Sequence, residues 1–180
     1  HSIGMSMNVR KGNHYTSQNY EFTEKGWDVS AVSFHKVMSV LYNSNAMNEW
    51  GSVVALTYMA AQRVFPDYND MADNKAYLES IARSFGYFFG KQSKVRVNTI
   101  SQSPTPTTAG NGVKGFDGFI NYAEEMSLLG NATALECADY TITLFSDLTK
   151  KVTLQNLFHD GGFSNMGISQ SIMQGFMNKE

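Results

Sequence analysis

GSVVALTY, Gly51 to Tyr58, is apolar at successive positions rather than at alternate ones, and this narrows the folds open to the chain. A strand with one face in water alternates polar with apolar residues. A strand apolar on both sides must be covered on both faces, as in a parallel sheet between helices. KVRVNTIS, Lys94 to Ser101, reads as a second strand, and KVTLQNLFHDGG, Lys151 to Gly162, as a third that closes with Asp-Gly-Gly turn chemistry. Helical patterns lie between them. After Asp73, residues Leu78, Ile81, Ala82, Phe85, Phe88 and Phe89 recur at helical spacing and form one wide apolar face. A helix over about Asp28 to Tyr42 sets Val29, Val32, Val37, Val40 and Leu41 on one side to pack on the sheet, with Asp28 or Ser30 near its N-terminus. In NATALECADYTITLF, Thr133 and Glu136 make a capping box at the head of a third helix. Asn131-Ala132-Thr133 also spells a glycosylation sequon, but the cap is the reading the rest of the chain supports. The alternation of strand and helix predicts an α/β fold with right-handed crossovers.

Composition limits the partners. At 180 residues, 42% hydrophobic and 17% charged, the chain can bury one sizeable core and needs no second domain. A formal net charge of −2 with scattered basic residues argues against a nucleic-acid backbone or an anionic membrane surface as partner. Cys137 is the single cysteine, so no disulfide framework or structural zinc site is expected, and a reducing, cytoplasmic setting fits. No apolar run approaches the ~20 residues of a membrane span, and the N-terminus lacks a signal-peptide layout.

GNGVKG, Gly110 to Gly115, spells G-x-G-x-x-G. The dinucleotide fingerprint, however, needs glycines that follow a strand at once and open a helix, so that the pyrophosphate meets helix amides. Here eight residues with two prolines separate Ser101 from Gly110, and no acidic residue ends a following strand. Ser101 to Gly115 reads instead as a hinge leading into a cover over a site.

Tyr58 ends the first strand, Tyr68 follows ten residues later, and Lys75 seven after that. With Tyr68 at the start of a helix, Lys75 lies two turns on along the same face, where its ammonium would favour phenolate and lower the tyrosine pKa. The spacing also suits a helix-flanking tyrosine with a solvated lysine. His159-Asp160 belongs to a strand-ending turn, His14 and His35 have no partner at ligand spacing, and no metal site is expected. The ten methionines suit packing and an apolar pocket.

LTYMAAQRVFPDYNDMADNKAYLES, KVRVNTIS and FHDGGFSNMG together resemble the bacterial enoyl-acyl-carrier-protein reductases, a branch of the short-chain dehydrogenase/reductase superfamily, over nearly the entire chain. Most of the superfamily carries Tyr-x3-Lys. This branch carries Tyr-x6-Lys with a further tyrosine ten residues upstream, and Tyr58, Tyr68 and Lys75 reproduce both spacings. The resemblance implies a Rossmann-like parallel sheet flanked by helices on both faces, reducing trans-2-enoyl thioesters with NADH, or less often NADPH. In it, Tyr68 would hydrogen-bond the thioester carbonyl, Lys75 hold the nicotinamide ribose, and Tyr58 line the acyl pocket. Met71 and Phe116 would border the substrate, and Thr57 would support structure near the cofactor. Ser2, Ile3, Gly4, Pro104, Thr105 and Thr107 would lie against the cofactor, although SPTPT departs from the family's Gly-Pro-Ile-Arg-Thr at Ser103, Thr105 and Pro106. Residues 103–126 would form a lid.

HSIG resembles the end of the family's fourth strand, so the N-terminal strands of the doubly wound sheet and the Gly-rich turn are expected upstream of His1, and the chain alone is expected to be inactive. The expected partners are an acyl-carrier-protein-bound enoyl substrate and further copies of the chain in a homotetramer. The rival functions are a ketoacyl reductase or another dehydrogenase of the same fold, and a non-catalytic assembly fragment.

Overall fold

The computed structural model describes residues 1–106 and 116–178, without the side chain of Phe116. Three strands, β1 (Ser52–Thr57), β2 (Arg96–Gln102) and β3 (Asn156–His159), form a parallel sheet in the order β1-β2-β3. Helices α1 (Met7–Lys11), α2 (Tyr20–Trp27) and α3 (Ser33–Asn43) precede β1. The long α4 (Asp70–Ser93) joins β1 to β2, α5 (Phe116–Met126) and α6 (Ala134–Phe145) lie between β2 and β3, and α7 (Gln170–Met177) follows. On the outer edge of β1, the His1 carbonyl accepts from the Leu56 amide at 2.9 Å, so HSIG runs along that edge.

The doubly apolar reading of β1 holds because successive residues enter different cores. Val53 and Ala55 pack with Ala31, Phe34 and Met38 from the α2–α3 helical region and with Leu78, Ile81 and Phe89 of α4, while Val54 and Leu56 pack with Ile100, Leu144 and Leu157 on the α6 side. The capping box of α6 is present, with the Glu136 amide donating to Thr133 Oγ1 at 3.2 Å and the Thr133 amide donating to the Glu136 carboxylate at 2.7 Å.

Two expectations need correction. The third strand covers only Asn156–His159, not Lys151 to Gly162. Ahead of it, Leu154 takes φ +62, and the Val97 amide is met by the Thr153 hydroxyl at 3.1 Å, so side-chain and kinked-backbone contacts replace a regular ladder there. The helix expected from Asp28 has no cap at Asp28 or Ser30. It continues α2 through one wide π-turn, Asp28–Val32, and the cap is Asn19, whose side chain accepts from the Phe22 amide. Ser30 is buried and bonds both backbone groups of Met5. This helical region carries two apolar stripes, and the core takes Ala31, Phe34 and Met38. Val37 and Val40 remain 52% and 67% exposed.

Arg96 opens β2 with its side chain buried. Its guanidinium donates to the carbonyls of Leu144 and Thr149 at 2.9 Å and of Ser146 at 3.3 Å, adding a charged donor to acceptors that the Ser52 and Thr149 hydroxyls and the Val152 amide also meet. Arg96→Met keeps the apolar stem but removes these charge-assisted bonds, and should lower unfolding stability by about 1.5–3 kcal/mol in denaturant titration.

Candidate functional site

The C-terminal end of β1 gathers the residues with chemistry. Tyr58 follows the last strand residue, is 6% exposed, and its hydroxyl makes no hydrogen bond among the described residues. Tyr68 ends a 3-10 turn, Pro66–Tyr68, and its ring lies 5.2 Å from that of Tyr58. Phe65 and Phe119 stand edge-on to Tyr58 at 5.4 and 6.0 Å, and Phe163 meets Phe65 at 6.2 Å. The two phenols therefore sit in an aromatic, water-poor wall built from three separate parts of the chain.

Lys75 reaches this end of the sheet from α4 and donates from Nζ to the Leu56 carbonyl at 2.9 Å. Burial lowers its ammonium to about 8, with the nearby Glu79 opposing the shift. The expected lowering of the Tyr68 pKa is not found. Burial pushes that phenol up to about 12, and burial, followed by the charges of Tyr68 and Asp160, raises Tyr58 further still. Lys75 spends its hydrogen bond on the strand, and desolvation governs the phenol, so both tyrosines stay protonated at neutral pH and can act as donors.

The backbone after Tyr68 is unusual. Asn69 takes φ +49 and ψ −141, a region that non-glycine residues rarely occupy. Its side chain holds it there, accepting from the Asp70 amide at 2.6 Å and from Gln18 Nε2 at 2.7 Å, and donating to the Asn13 carbonyl at 2.6 Å. Beneath it the buried Asp70 carboxylate accepts from Asn8 Nδ2 at 2.8 Å and from the Ser6 hydroxyl. The segment before α2 thus pins the residue next to Tyr68.

Ser2, Ile3 and Gly4 extend past Leu56 to the same end of the sheet. A Cβ on Gly4 would lie 2.6 Å from Met71 Cε and 3.5 Å from Lys75 Nζ, so the absent side chain leaves a cradle beside the ammonium. Met71 borders Gly4. Pro104 is buried after β2, and the Thr105 hydroxyl turns away to the Ser103 carbonyl at 3.1 Å and the Ala132 carbonyl at 3.4 Å. Thr107, GNGVKG and the Phe116 side chain lie outside the described residues; the residue of α5 seen against Tyr58 is Phe119. His159 stacks on Tyr140 at 4.8 Å, and the Asp160 carboxylate accepts from the amides of Gly162 and Ser164, as expected for a turn. Phe65, Phe119, Phe163 and Asn69 carry no local motif, and only their neighbours in space give them a place in the site.

Two tyrosines and a buried lysine at one strand end suit polarising a carbonyl oxygen. In agreement with that chemistry, residues 1–164 match the model of the enoyl-(acyl carrier protein) reductase family. The chain belongs to this family. It is 36% identical over 118 residues, 65% of its length, to the NADH-dependent enoyl-[acyl-carrier-protein] reductase FabI of Bacillus subtilis, covering 45% of that protein. It is 34% identical over 145 residues to FabI of Buchnera aphidicola, covering 80% of this chain and 55% of that one. The crystal structure of the FabI–NADH complex from Alistipes finegoldii superposes with a TM-score of 0.90 at 62% identity, over 93% of this chain and 59% of that one. The chain thus spans about half the length of its FabI relatives.

Proposed function

We propose that this chain carries the substrate half of an NADH-dependent enoyl-[acyl-carrier-protein] reductase of fatty-acid synthesis. The observation that carries this reading is the pair of protonated phenols, 5.2 Å apart between ring centroids, at the end of the strand whose Leu56 carbonyl holds the buried Lys75. A bound nicotinamide cofactor supplies the hydride that reaches the β-carbon of the enoyl thioester. Tyr68 donates a hydrogen bond to the thioester carbonyl oxygen as negative charge develops there, and the aromatic wall excludes the water that would weaken it. Tyr58 and Phe119 line the acyl side. Lys75 meets the cofactor ribose, with Ser2, Ile3 and Gly4 alongside; the cradle left by Gly4 beside Nζ fits such a group. Pro104 and Thr105 continue the cofactor edge, while α5 roofs the substrate. NADH oxidation by the intact protein with a crotonyl thioester, and its absence with a ketoacyl thioester, tests the reading; the reverse preference would assign it to another short-chain dehydrogenase.

Lys75 also predicts a pH profile. Its ammonium, lowered to about 8, is charged below that pH and neutral above it. If the charge holds the ribose and favours the developing oxyanion, kcat/KM should fall as pH rises through about 8, approaching a tenfold loss per pH unit beyond it. A profile flat from pH 7 to 10 would remove Lys75 from this role.

We further infer a homotetramer and a cytoplasmic setting. Among the described residues no helix is long and apolar enough to cross a membrane. The stripe left over from the core, Val37 and Val40 on α3, and the exposed Tyr87 and Phe88 on α4, form apolar surface suited to cover by further copies. Light scattering should report four copies, and Val40→Glu should shift the mass toward smaller species while leaving the monomer folded.

A further inference from the structure

Besides Asp70 and Lys75, α4 carries a third buried ionisable side chain, and the proposed reaction does not yet use it. Glu79 lies one helical turn beyond Lys75 and is 3% exposed. Its Oε1 accepts from Thr57 Oγ1 at 2.8 Å and from Asn156 Nδ2 at 3.3 Å; its Oε2 accepts from Gln62 Nε2 at 2.9 Å. Thr57 and Gln62 flank Tyr58 in the chain, one at the end of β1 and the other closing the 3-10 turn Met59–Ala61. Lys75 meanwhile grips the Leu56 carbonyl. Two successive turns of α4 therefore hold residues 56, 57 and 62, the points from which Tyr58 is suspended.

Burying a carboxylate is costly unless its acceptors are filled, and here they are filled mainly by one hydroxyl and two amides. The cations nearby are Arg83 of α4, with Nη1 at 3.9 Å and its side chain 57% exposed, and Lys75. The other charged or titratable groups facing the region are the amino nitrogen of His1, beside Lys75, and Asp160 and Tyr68, both beside Tyr58. β1, the Tyr58 turn and β3 otherwise present Glu79 with the uncharged Thr57, Gln62 and Asn156.

We propose that Glu79 is a positioning residue of this site: its carboxylate ties down both sides of the Tyr58 turn and supplies the negative charge that faces Lys75. Its catalytic consequence rests on the reductase reading; its geometry does not. Glu79→Gln keeps the shape and removes the charge. In NMR titration of the Lys75 side chain, the midpoint is expected to fall by about one pH unit, a tenfold loss of proton affinity. In enoyl-thioester assays of the intact protein, kcat should drop about fivefold at pH 8, and the deficit should shrink toward pH 6, where Lys75 is protonated in both forms.

An unchanged Lys75 midpoint, or a deficit equal at both pH values, would reduce Glu79 to a packing role and overturn the proposal. If Glu79→Gln does not fold, Glu79→Asp serves instead. It keeps the charge but shortens the reach, so the Lys75 midpoint should hold while kcat falls several-fold at every pH; a wild-type kcat would overturn the grip on the Tyr58 turn. If the unsubstituted protein reduces no enoyl thioester, the reductase reading fails, and the Lys75 titration still decides whether Glu79 faces it as proposed.

Discussion

Tyr68→Phe should lower kcat for enoyl-thioester reduction by about 10²–10³-fold, the usual cost of removing one hydrogen-bond donor from a developing oxyanion. The phenol is pushed up to about 12 by burial, so the wild-type group is a donor at neutral pH. The phenylalanine ring can keep its contact with Tyr58, at 5.2 Å in the wild type, so thermal stability should change little. Steady-state kinetics would separate the effect: a fall in kcat with KM for the thioester nearly unchanged places the lost bond in the transition state. A KM effect alone would move Tyr68 from the chemistry to ground-state binding. Tyr58→Phe is the natural control, since the Tyr58 hydroxyl has no hydrogen-bond partner among the described residues and lies in the same wall.

Gly161→Ala should cost about 2–5 kcal/mol of stability, combining the penalty of a left-handed backbone with overpacking. Gly161 takes φ +64, and a Cβ there would stand 2.3 Å from the Gly130 carbonyl oxygen and 3.0 Å from Ser127 Cβ. The first obstacle is backbone, which cannot rotate away as a side chain could. The Leu129 amide donates to the Gly161 carbonyl at 3.2 Å, so the same contact joins the turn after β3 to the end of α5. Loosening it should also loosen the wall at Phe163 and Phe119. Chemical denaturation measures the stability loss, and a change below about 0.5 kcal/mol, the range of a neutral surface substitution, would show that the turn and α5 are free to separate.

Much of this was legible in the chain itself. The unbroken apolar run of β1 required cover on both faces. The spacing of Leu78, Ile81, Phe85 and Phe89 required a helix. Thr133 with Glu136 required a cap, and the spacing of Tyr58, Tyr68 and Lys75 selected one reductase branch. The first three signals act over a turn or two of helix or a few strand residues, where backbone geometry alone decides which side chains can meet, and the fourth is read by resemblance to a family.

Tertiary structure decided what those local rules leave open. Two apolar stripes of similar quality run along the Asp28–Asn43 region, and only packing against β1 and α4 selected Ala31, Phe34 and Met38 over Val37 and Val40. The cation–phenol argument for Tyr68 failed for a related reason: proximity in sequence suggested an attraction, but Lys75 is held on the Leu56 carbonyl, and burial in a wall with Phe65, Phe119 and Phe163 sets the direction of the shift. Glu79 was invisible as part of a site because its partners Thr57 and Asn156 lie 22 and 77 residues away. The sequence by itself determined the order of strands and helices and the spacing of Tyr58, Tyr68 and Lys75. Only the folded core determined which groups lose water, because burial depends on contacts between distant segments and sets both the protonation states and the geometry of the site.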